Sequence, residues 1–223
     1  MFVKHFMTRE VFTLSPDQTC LETLRELRQR HIRRALVLDR NRLVGIVTER
    51  DLLHILPGTP GQTSTKAGEV ALDIPVKHVM TTQPKTLHPN DHLESAARLM
   101  LKHKIGGVPV VEEGEVKGII TESDIFRALW RILSSETGCR IIFEKLHDTD
   151  MGLMDYVERC RKHRCRVNSL LRYPRPEGGS LYYLCIEGEE IDTVIDELWA
   201  ESATVLSVER KGPTKVVPRW RKP

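Results

Sequence analysis

A threonine and an aspartate recur three residues apart at two places in the chain, each time directly after an apolar, strand-like run. The pairs are Thr48 with Asp51 and Thr121 with Asp124. At the start of a helix, a threonine hydroxyl and free backbone amides can bind a phosphate, and an aspartate can accept hydrogen bonds from a ribose. The same spacing is typical of a helix cap. The residues alone are compatible with both ligand binding and helix capping, and the two roles can coexist.

Two adjacent arginines precede the strand that leads to the first pair. Arg33 and Arg34 stand where the sequence has Gly106 and Gly107 before the second pair. The guanidinium group is permanently charged, and its fork of donors matches the geometry of a phosphate. A solvated positive face is the alternative, because most arginines are exposed on protein surfaces. The pattern favours a phosphate-bearing ligand beside the first pair.

An internal repeat makes these positions equivalent. Shifting the sequence by 73 residues superimposes residues 3–8 on 76–81 and residues 45–51 on 118–124. About fifteen of roughly fifty aligned positions are identical, which indicates duplication of one supersecondary unit. Each unit therefore contains one threonine–aspartate pair.

Each unit is predicted to contain a strand, a helix, two further strands and a second helix. In the first unit the helix is expected to begin at Ser15, which would be its N-cap, with proline next in the first turn. Apolar runs at residues 35–38 and 43–47 flank a polar stretch and indicate a hairpin. The runs at residues 108–111 and 116–120 indicate the equivalent hairpin in the second unit.

These features together resemble the CBS domain family. A Met-Thr opening, the run at residues 105–111 and the Gly-x-x-Thr-x-x-Asp ending occur in the order that the family has. The first CBS domain would span residues 1–66, including a Gly- and Pro-rich linker at 57–64, and the second residues 67–133. The tandem resembles a CBS pair, or Bateman module. The resemblance implies two units packed sheet to sheet, with clefts that in many members bind AMP, ATP or S-adenosylmethionine.

The resemblance also implies which side chains bind the ligand. In nucleotide-binding relatives, basic residues before the central strand meet phosphates, and we expect apolar strand residues to wall the adenine, although such residues are more often simply core. The expected ligand-binding residues are Thr48, Asp51, Arg33, Arg34, Thr121, Asp124, Val11, Ile46, Ile119 and Pro109. We expect the phosphorylated ligand in the first cleft, and a less charged adenosine compound or nothing in the second.

The last third of the chain follows a different pattern. Apolar stripes at residues 153–160 and 191–198 indicate helices. Strand-like runs are found at residues 140–143, 164–173, 181–186 and 205–208. The order strand, helix, strand, strand, helix, strand is ferredoxin-like. The predicted fold class is therefore α+β, with two CBS-type α/β repeats forming a Bateman module and a C-terminal ferredoxin-like βαββαβ domain at residues 139–210.

This C-terminal domain resembles the ACT domain, a regulatory module that often binds amino acids at a dimer interface. Its site-bearing loop departs from the family pattern, because Thr149 stands where the family has aspartate, three residues before Gly152. A CBS pair followed by an ACT-like domain resembles the AcuB-type proteins associated with acetoin utilisation. In the same loop, His147, Asp148 and Asp150 lack a fourth metal ligand, so no metal site is predicted.

The composition excludes several classes of protein. The chain has 223 residues, of which 40% are hydrophobic and 29% charged, which is typical of a globular protein. A net charge of +3 gives little steering toward nucleic acid, and no apolar run approaches the roughly 18 residues of a membrane span. The five cysteines lack paired-ligand spacing and are expected to be buried, reduced thiols of a cytoplasmic protein. Residues 211–223 are basic and predicted to be a disordered tail.

The sequence contains no P-loop, Gly-x-Ser-x-Gly elbow or His-Glu-x-x-His motif. It therefore predicts a non-catalytic regulatory protein that senses AMP, ATP or S-adenosylmethionine and needs no cofactor. We expect a homodimer that acts on an unidentified partner protein, without contact to membrane or nucleic acid. Two alternatives are a ligand-independent homodimeric scaffold and an amino-acid sensor that works through the ACT-like domain.

Overall fold

The structure of the protein is a computed structural model. It describes residues 1–55, 74–133, 137–145, 153–200 and 203–211. The predicted linker, the loop with His147, Asp148 and Asp150, and the basic tail beyond residue 211 lie outside these ranges. The chain divides into two compact units, Met1–Arg127 and Ala128–Pro223. The N-terminal unit holds both copies of the repeat.

The first repeat has the predicted order of elements, whereas in the second repeat the equivalent of the first strand is a single parallel bridge between Leu87 and Val110. In the first repeat the elements are a 3₁₀ turn at Val3–His5, β1 (Thr13–Leu14), α1 (Cys20–Gln29), β2 (Arg34–Asp39), β3 (Arg42–Thr48) and α2 (Glu49–Ile55). In the second repeat they are a 3₁₀ turn at Val76–His78, β4 (Thr81–Thr82), α3 (Leu93–His103), β5 (Gly107–Glu112), β6 (Glu115–Thr121) and α4 (Glu122–Leu133). Strands β2 and β3, and likewise β5 and β6, are antiparallel hairpins, as predicted.

The predicted start of α1 at Ser15 is wrong. The helix begins at Cys20, and Thr19 is its N-cap: the Glu22 amide donates to the Thr19 hydroxyl oxygen at 3.3 Å. The Thr19 hydroxyl in turn donates to the Glu22 carboxylate at 2.9 Å. Residues 15–18 form a turn instead, in which the Gln18 amide donates to the Ser15 carbonyl at 3.2 Å. The later threonine–glutamate pair satisfies the helix end and so fixes its first residue.

Each repeat contributes its opening segment to the sheet of the other repeat. Strand β4 of the second repeat pairs with β3 of the first, and the sheet has the order β1-β2-β3-β4. In return, Thr8 of the first repeat pairs with Ile119 in β6, and the two backbones exchange hydrogen bonds of 2.9 Å in both directions. The two repeats are therefore interlocked by backbone pairing.

Two glycines allow these opening segments to approach. A Cβ atom on Gly118 would lie 2.6 Å from the Thr8 carbonyl oxygen and 3.0 Å from the Met7 sulfur. A Cβ atom on Gly45 would lie 3.1 Å from the Thr81 carbonyl oxygen. The distance at Gly118 is shorter than real Cβ atoms show, and the distance at Gly45 is shorter than most of their contacts. A larger residue at either position therefore requires the opposing segment to shift. The Met-Thr opening and the strand glycine of the repeat are therefore two sides of one contact.

The core of the first repeat lies between its sheet and its helices. Helix α1 buries one face at helical spacing, through Cys20, Leu24 and Leu27. These side chains join buried residues of the strands and of α2, including Val37 and Leu52. No helix among the described residues is long and apolar enough to span a membrane.

The C-terminal unit has the predicted ferredoxin-like order of elements. They are β7 (Gly138–Lys145), α5 (Leu153–Lys162), β8 (Cys165–Pro174), β9 (Ser180–Gly188), α6 (Ile191–Ala200) and β10 (Thr204–Lys211). The strands form an antiparallel sheet in the order β10-β7-β9-β8. In its core, the Phe143 and Tyr182 rings are stacked at 5.0 Å, and Tyr156 packs at 5.1 Å from Tyr182. The sequence pattern thus predicts this unit correctly.

All five cysteines are buried and unpaired, as predicted. Burial raises the pKa of the Cys139 and Cys160 thiols to about 11. Both thiols stay protonated at neutral pH, and a thiol in that state is a poor nucleophile and a poor metal ligand. Their role is therefore to fill the core of the C-terminal unit.

Candidate functional site

A cavity of about 720 Å³ opens between the two repeats of the N-terminal unit. Its volume is in the range of small-molecule sites. The structure brings together here six of the ten side chains that were expected to bind a ligand, namely Arg33, Arg34, Ile46, Thr48, Asp51 and Pro109. Pro109 comes from β5 of the second repeat and the other five from the first, so the wall of the cavity is shared.

The first threonine–aspartate pair forms a reciprocal cap on this wall. One oxygen of Asp51 accepts hydrogen bonds from the Thr48 amide at 2.9 Å and from the Thr48 hydroxyl at 2.7 Å. The Asp51 amide donates back to the Thr48 hydroxyl oxygen at 3.3 Å. Among the described residues, none donates to the other oxygen of Asp51. The capping interpretation therefore holds, and it leaves one carboxylate oxygen available as an acceptor.

The second pair has the same cap but no available oxygen. Asp124 accepts from the Thr121 amide at 2.9 Å and from the Thr121 hydroxyl at 2.7 Å. Its other oxygen accepts a hydrogen bond from Arg127 at 2.8 Å. Asp124 is only 3% exposed, and neither it nor Thr121 lines the cavity. The two repeats, equivalent in sequence, therefore differ in chemistry.

Arg34 extends from the first repeat toward the second. A Cβ atom on Gly106 would lie 2.7 Å from the Arg34 Nη2 atom, and one on Gly107 would overlap the guanidinium group. Burial lowers the pKa of Arg34, whereas the carboxylates of Glu122 and Asp124 raise it. The space that the two glycines leave open is thus filled by an arginine that faces acidic groups of the second repeat.

The remaining two expected residues lie elsewhere in the unit. Val11 lines a separate cavity of about 430 Å³ next to Phe12, and the guanidinium of Arg30 stacks over the Phe12 ring at 4.7 Å. Ile119 is 6% exposed and pairs with Thr8 in the sheet. Neither side chain lines the larger cavity.

The part of the cavity wall that the second repeat supplies was not predicted from the sequence. Lys85 follows β4, and it lines the cavity because β4 joins the sheet of the first repeat. His103 and Lys104 end α3, where Lys104 adopts a left-handed conformation with φ of 53°. His31, the equivalent residue 73 positions earlier, has the same left-handed conformation with φ of 54°.

The CBS domain model matches residues 3–58 and 76–131. The chain belongs to the CBS domain family. The CBS domain-containing protein YhcV of Bacillus subtilis is 34% identical over 125 residues, which cover 55% of this chain and 81% of YhcV. Two longer relatives, from Thermofilum pendens and Methanocaldococcus jannaschii, are matched over 45% and 46% of their lengths.

Solved structures of CBS pairs resemble the same part of the chain. A candidate acetoin utilization protein (AcuB) from Vibrio cholerae is 32% identical, with a TM-score of 0.51, over 60% of this chain and 93% of that one. The CBS-pair protein CBSX2 of Arabidopsis thaliana has been solved in complex with AMP. That complex is 30% identical, with a TM-score of 0.50, over 59% of this chain and 97% of CBSX2.

The CBS pair offers three kinds of contact on one cavity wall. Asp51 supplies an acceptor, Arg33 and Arg34 supply charged donors, and Ile46 with Pro109 supplies apolar surface. Within the described ranges, no group of three His, Cys, Asp or Glu side chains is placed to hold a metal ion. The arrangement is suited to bind an organic anion that carries hydroxyl groups.

Proposed function

We propose that this protein is a non-catalytic sensor whose CBS pair binds an adenosine nucleotide in the cavity between the repeats. The observation that carries the proposal is the second carboxylate oxygen of Asp51, which accepts no hydrogen bond from the described residues. Asp51 lies on the same wall as Arg33 and Arg34. A ribose donates hydrogen bonds to an acceptor, and a phosphate binds to charged donors. The acceptor and the charged donors lie on the same cavity wall. The AMP complex of CBSX2 supports an adenosine ligand.

Each part of the nucleotide has a complementary group on this wall. The Asp51 oxygen would accept from a ribose hydroxyl, in the role that an acidic residue has in dinucleotide sites. The guanidinium groups of Arg33 and Arg34 would bind the phosphate through charge-assisted hydrogen bonds. Ile46 and Pro109 would pack against the adenine.

We propose that only one nucleotide binds per chain. Asp124 already uses both of its oxygens, for Thr121 and for Arg127, and is nearly inaccessible. A ribose at the second pair would have to displace Arg127 from a buried carboxylate, which leaves that charge uncompensated. The second cleft of the pair is therefore proposed to stay empty.

Binding would be relayed through the C-terminal, ACT-like unit or a partner protein, and the protein would act as a homodimer. Phe126 and Leu129 of α4 are 68% and 48% exposed, which supports a protein interface on this helix. A ligand-independent scaffold is the second candidate, because the caps of Thr48 and Thr121 are complete without any ligand. Ligand-dependent regulation requires that the ligand bind the two states of the protein with different affinity.

Calorimetric titration with adenosine, AMP, ATP and S-adenosylmethionine tests the proposal. We expect binding with a stoichiometry of one, weakened at least about tenfold in Asp51→Asn, which corresponds to 1.4 kcal/mol. Asp39→Asn is the matched control, because Asp39 is exposed in the same repeat and does not line the cavity. If no adenosine compound binds at millimolar concentration, the scaffold is the better description. Titration with free amino acids tests the remaining alternative, a sensor that works through the ACT-like unit.

A further inference from the structure

Basic side chains dominate the cavity wall, and they come from both repeats. The first repeat contributes three arginines and the second two lysines: Arg33, Arg34, Arg50, Lys85 and Lys104. Among the described residues, only two acidic ones, Glu49 and Asp51, line the same cavity. In the described part of the wall, five cationic side chains thus face two carboxylates. This local excess of positive charge is as large as the net charge of the whole chain, which is +3.

Most of this positive charge has no partner within the described part of the chain. Glu49 is engaged with Arg28, which lies outside the cavity wall, at 3.1 Å. Among the described residues, Arg33, Arg50, Lys85 and Lys104 form no ion pair. A cleft lined by charges of one sign concentrates the electrostatic potential and raises the local concentration of ions of the opposite sign. The cavity is therefore built for a ligand with several negative charges.

The two lysines lie across the repeat boundary from the arginine pair. Lys85 follows β4 and Lys104 ends α3, so both belong to the second repeat, whereas Arg33 and Arg34 precede or begin β2 of the first. One phosphate group carries about 1.5 to 2 negative charges at neutral pH. Arg33 and Arg50, which form no ion pair among the described residues, suffice together with Arg34 to neutralise it. The lysines are surplus to a monophosphate, and a longer phosphate chain would use them.

Building on the proposed function, we infer that the ligand is an adenosine polyphosphate, ADP or ATP, whose outer phosphates are bound by Lys85 and Lys104. These two lysines are then the residues that distinguish a polyphosphate from AMP. S-adenosylmethionine carries a positive sulfonium group, and the excess of cations on the wall disfavours it. Adenosine without a phosphate brings no negative charge to Arg33, Arg50, Lys85 and Lys104, which form no ion pair among the described residues.

Calorimetry without magnesium, and then with magnesium, measures the preference directly. We expect ATP to bind about tenfold more tightly than AMP, a difference of 1.4 kcal/mol, with ADP between them. In Lys85→Gln/Lys104→Asn this preference should fall to less than about twofold, while the affinity for AMP stays within about twofold. Asparagine is chosen at position 104 because it tolerates the left-handed conformation found there.

Lys102→Gln is the matched control, because Lys102 is exposed on the same helix and does not line the cavity. This variant should keep the full preference for ATP, and circular dichroism checks that each variant is folded. AMP that binds as tightly as ATP to the wild type overturns the polyphosphate inference and leaves the proposed function standing. A preference that survives in the double variant overturns the assignment of the two lysines. Failure of every adenosine compound to bind overturns both proposals.

Discussion

Arg34 of the first repeat lies so close to the backbone of Gly107 in the second that a Cβ atom on the glycine would overlap the guanidinium group. The two residues occupy equivalent positions of the repeat, 73 residues apart. The first repeat thus has an arginine side chain at this position, and the second repeat has a glycine that leaves room for it. This exchange makes the two halves of the CBS pair chemically different, because only one guanidinium fits at the contact.

A double-mutant cycle tests this relationship. Gly107→Ala should lower the free energy of unfolding by about 1 kcal/mol, since the added methyl displaces the flexible end of Arg34. In an Arg34→Ala background the same substitution should cost less, with a coupling energy of about 0.5 kcal/mol or more. Urea unfolding followed by circular dichroism measures all four variants. Additive effects of the two substitutions would contradict the contact.

A glycine that faces backbone should be less replaceable than one that faces a side chain. A Cβ atom on Gly118 would meet the Thr8 carbonyl oxygen at 2.6 Å, and Thr8 is held by two backbone hydrogen bonds to Ile119. Gly118→Ala should therefore lower the free energy of unfolding by about 2 to 3 kcal/mol, toward the upper end of overpacking costs. Gly107→Ala, measured in the same urea experiment, is the comparison. Equal costs for the two variants would show that the opening segment moves freely.

The parts of the fold that depend on local pattern could be predicted from the sequence. The hairpins β2–β3 and β5–β6 follow from apolar runs around polar turns, and the ferredoxin-like order follows from stripes at strand and helix spacing. The start of α1 was mispredicted because Ser15 and Thr19 are both good N-caps. Only the hydrogen bonds between Thr19 and Glu22 decide between them.

Only part of the candidate site could be predicted from the sequence. Thr48, Asp51 and the arginine pair could be found because their chemistry is visible in the repeat. Lys85 could not, since it reaches the cavity only through the pairing of β4 with a strand of the other repeat. The hydrogen bond of Arg127 to Asp124 also depends on side-chain conformation. Neither the pairing of distant strands nor the conformation of a side chain leaves a periodicity in the sequence.

Acid should weaken the C-terminal unit through Glu197. His163 lies 2.9 Å from one oxygen of Glu197, and this hydrogen bond holds the pKa of the glutamate below its ordinary value of 4.5. A carboxyl whose pKa is lower in the folded state stabilises the fold above the unfolded value and loses this effect as the pH falls through the folded value. The stability that Glu197 contributes should therefore be complete at neutral pH and be lost progressively as the pH falls below about 4.5.

Urea unfolding followed by the fluorescence of Trp199, which packs against the core of this unit, measures the effect between neutral pH and pH 3.5. Glu197→Gln should be less stable than the wild type at neutral pH, and the difference should shrink as the pH falls. Glu189→Gln is the control, because Glu189 is exposed in the same unit. A constant difference between wild type and Glu197→Gln at every pH would exclude this linkage.

The two aspartates of the repeat should separate stability from binding. Asp124 accepts three hydrogen bonds at a buried position. Asp124→Ala should lower the free energy of unfolding by about 2 to 3 kcal/mol, because it removes the acceptor of all three. Asp51→Ala loses only a cap on the cavity wall, and its cost should be about 1 kcal/mol. For nucleotide affinity the order should be reversed, with the larger loss in Asp51→Ala. Thermal unfolding with and without ATP measures both effects, because a bound ligand stabilises the folded state by mass action. A loss of the ATP-dependent shift in a folded Asp124→Ala protein, with the shift retained in Asp51→Ala, would place the nucleotide at the second pair instead.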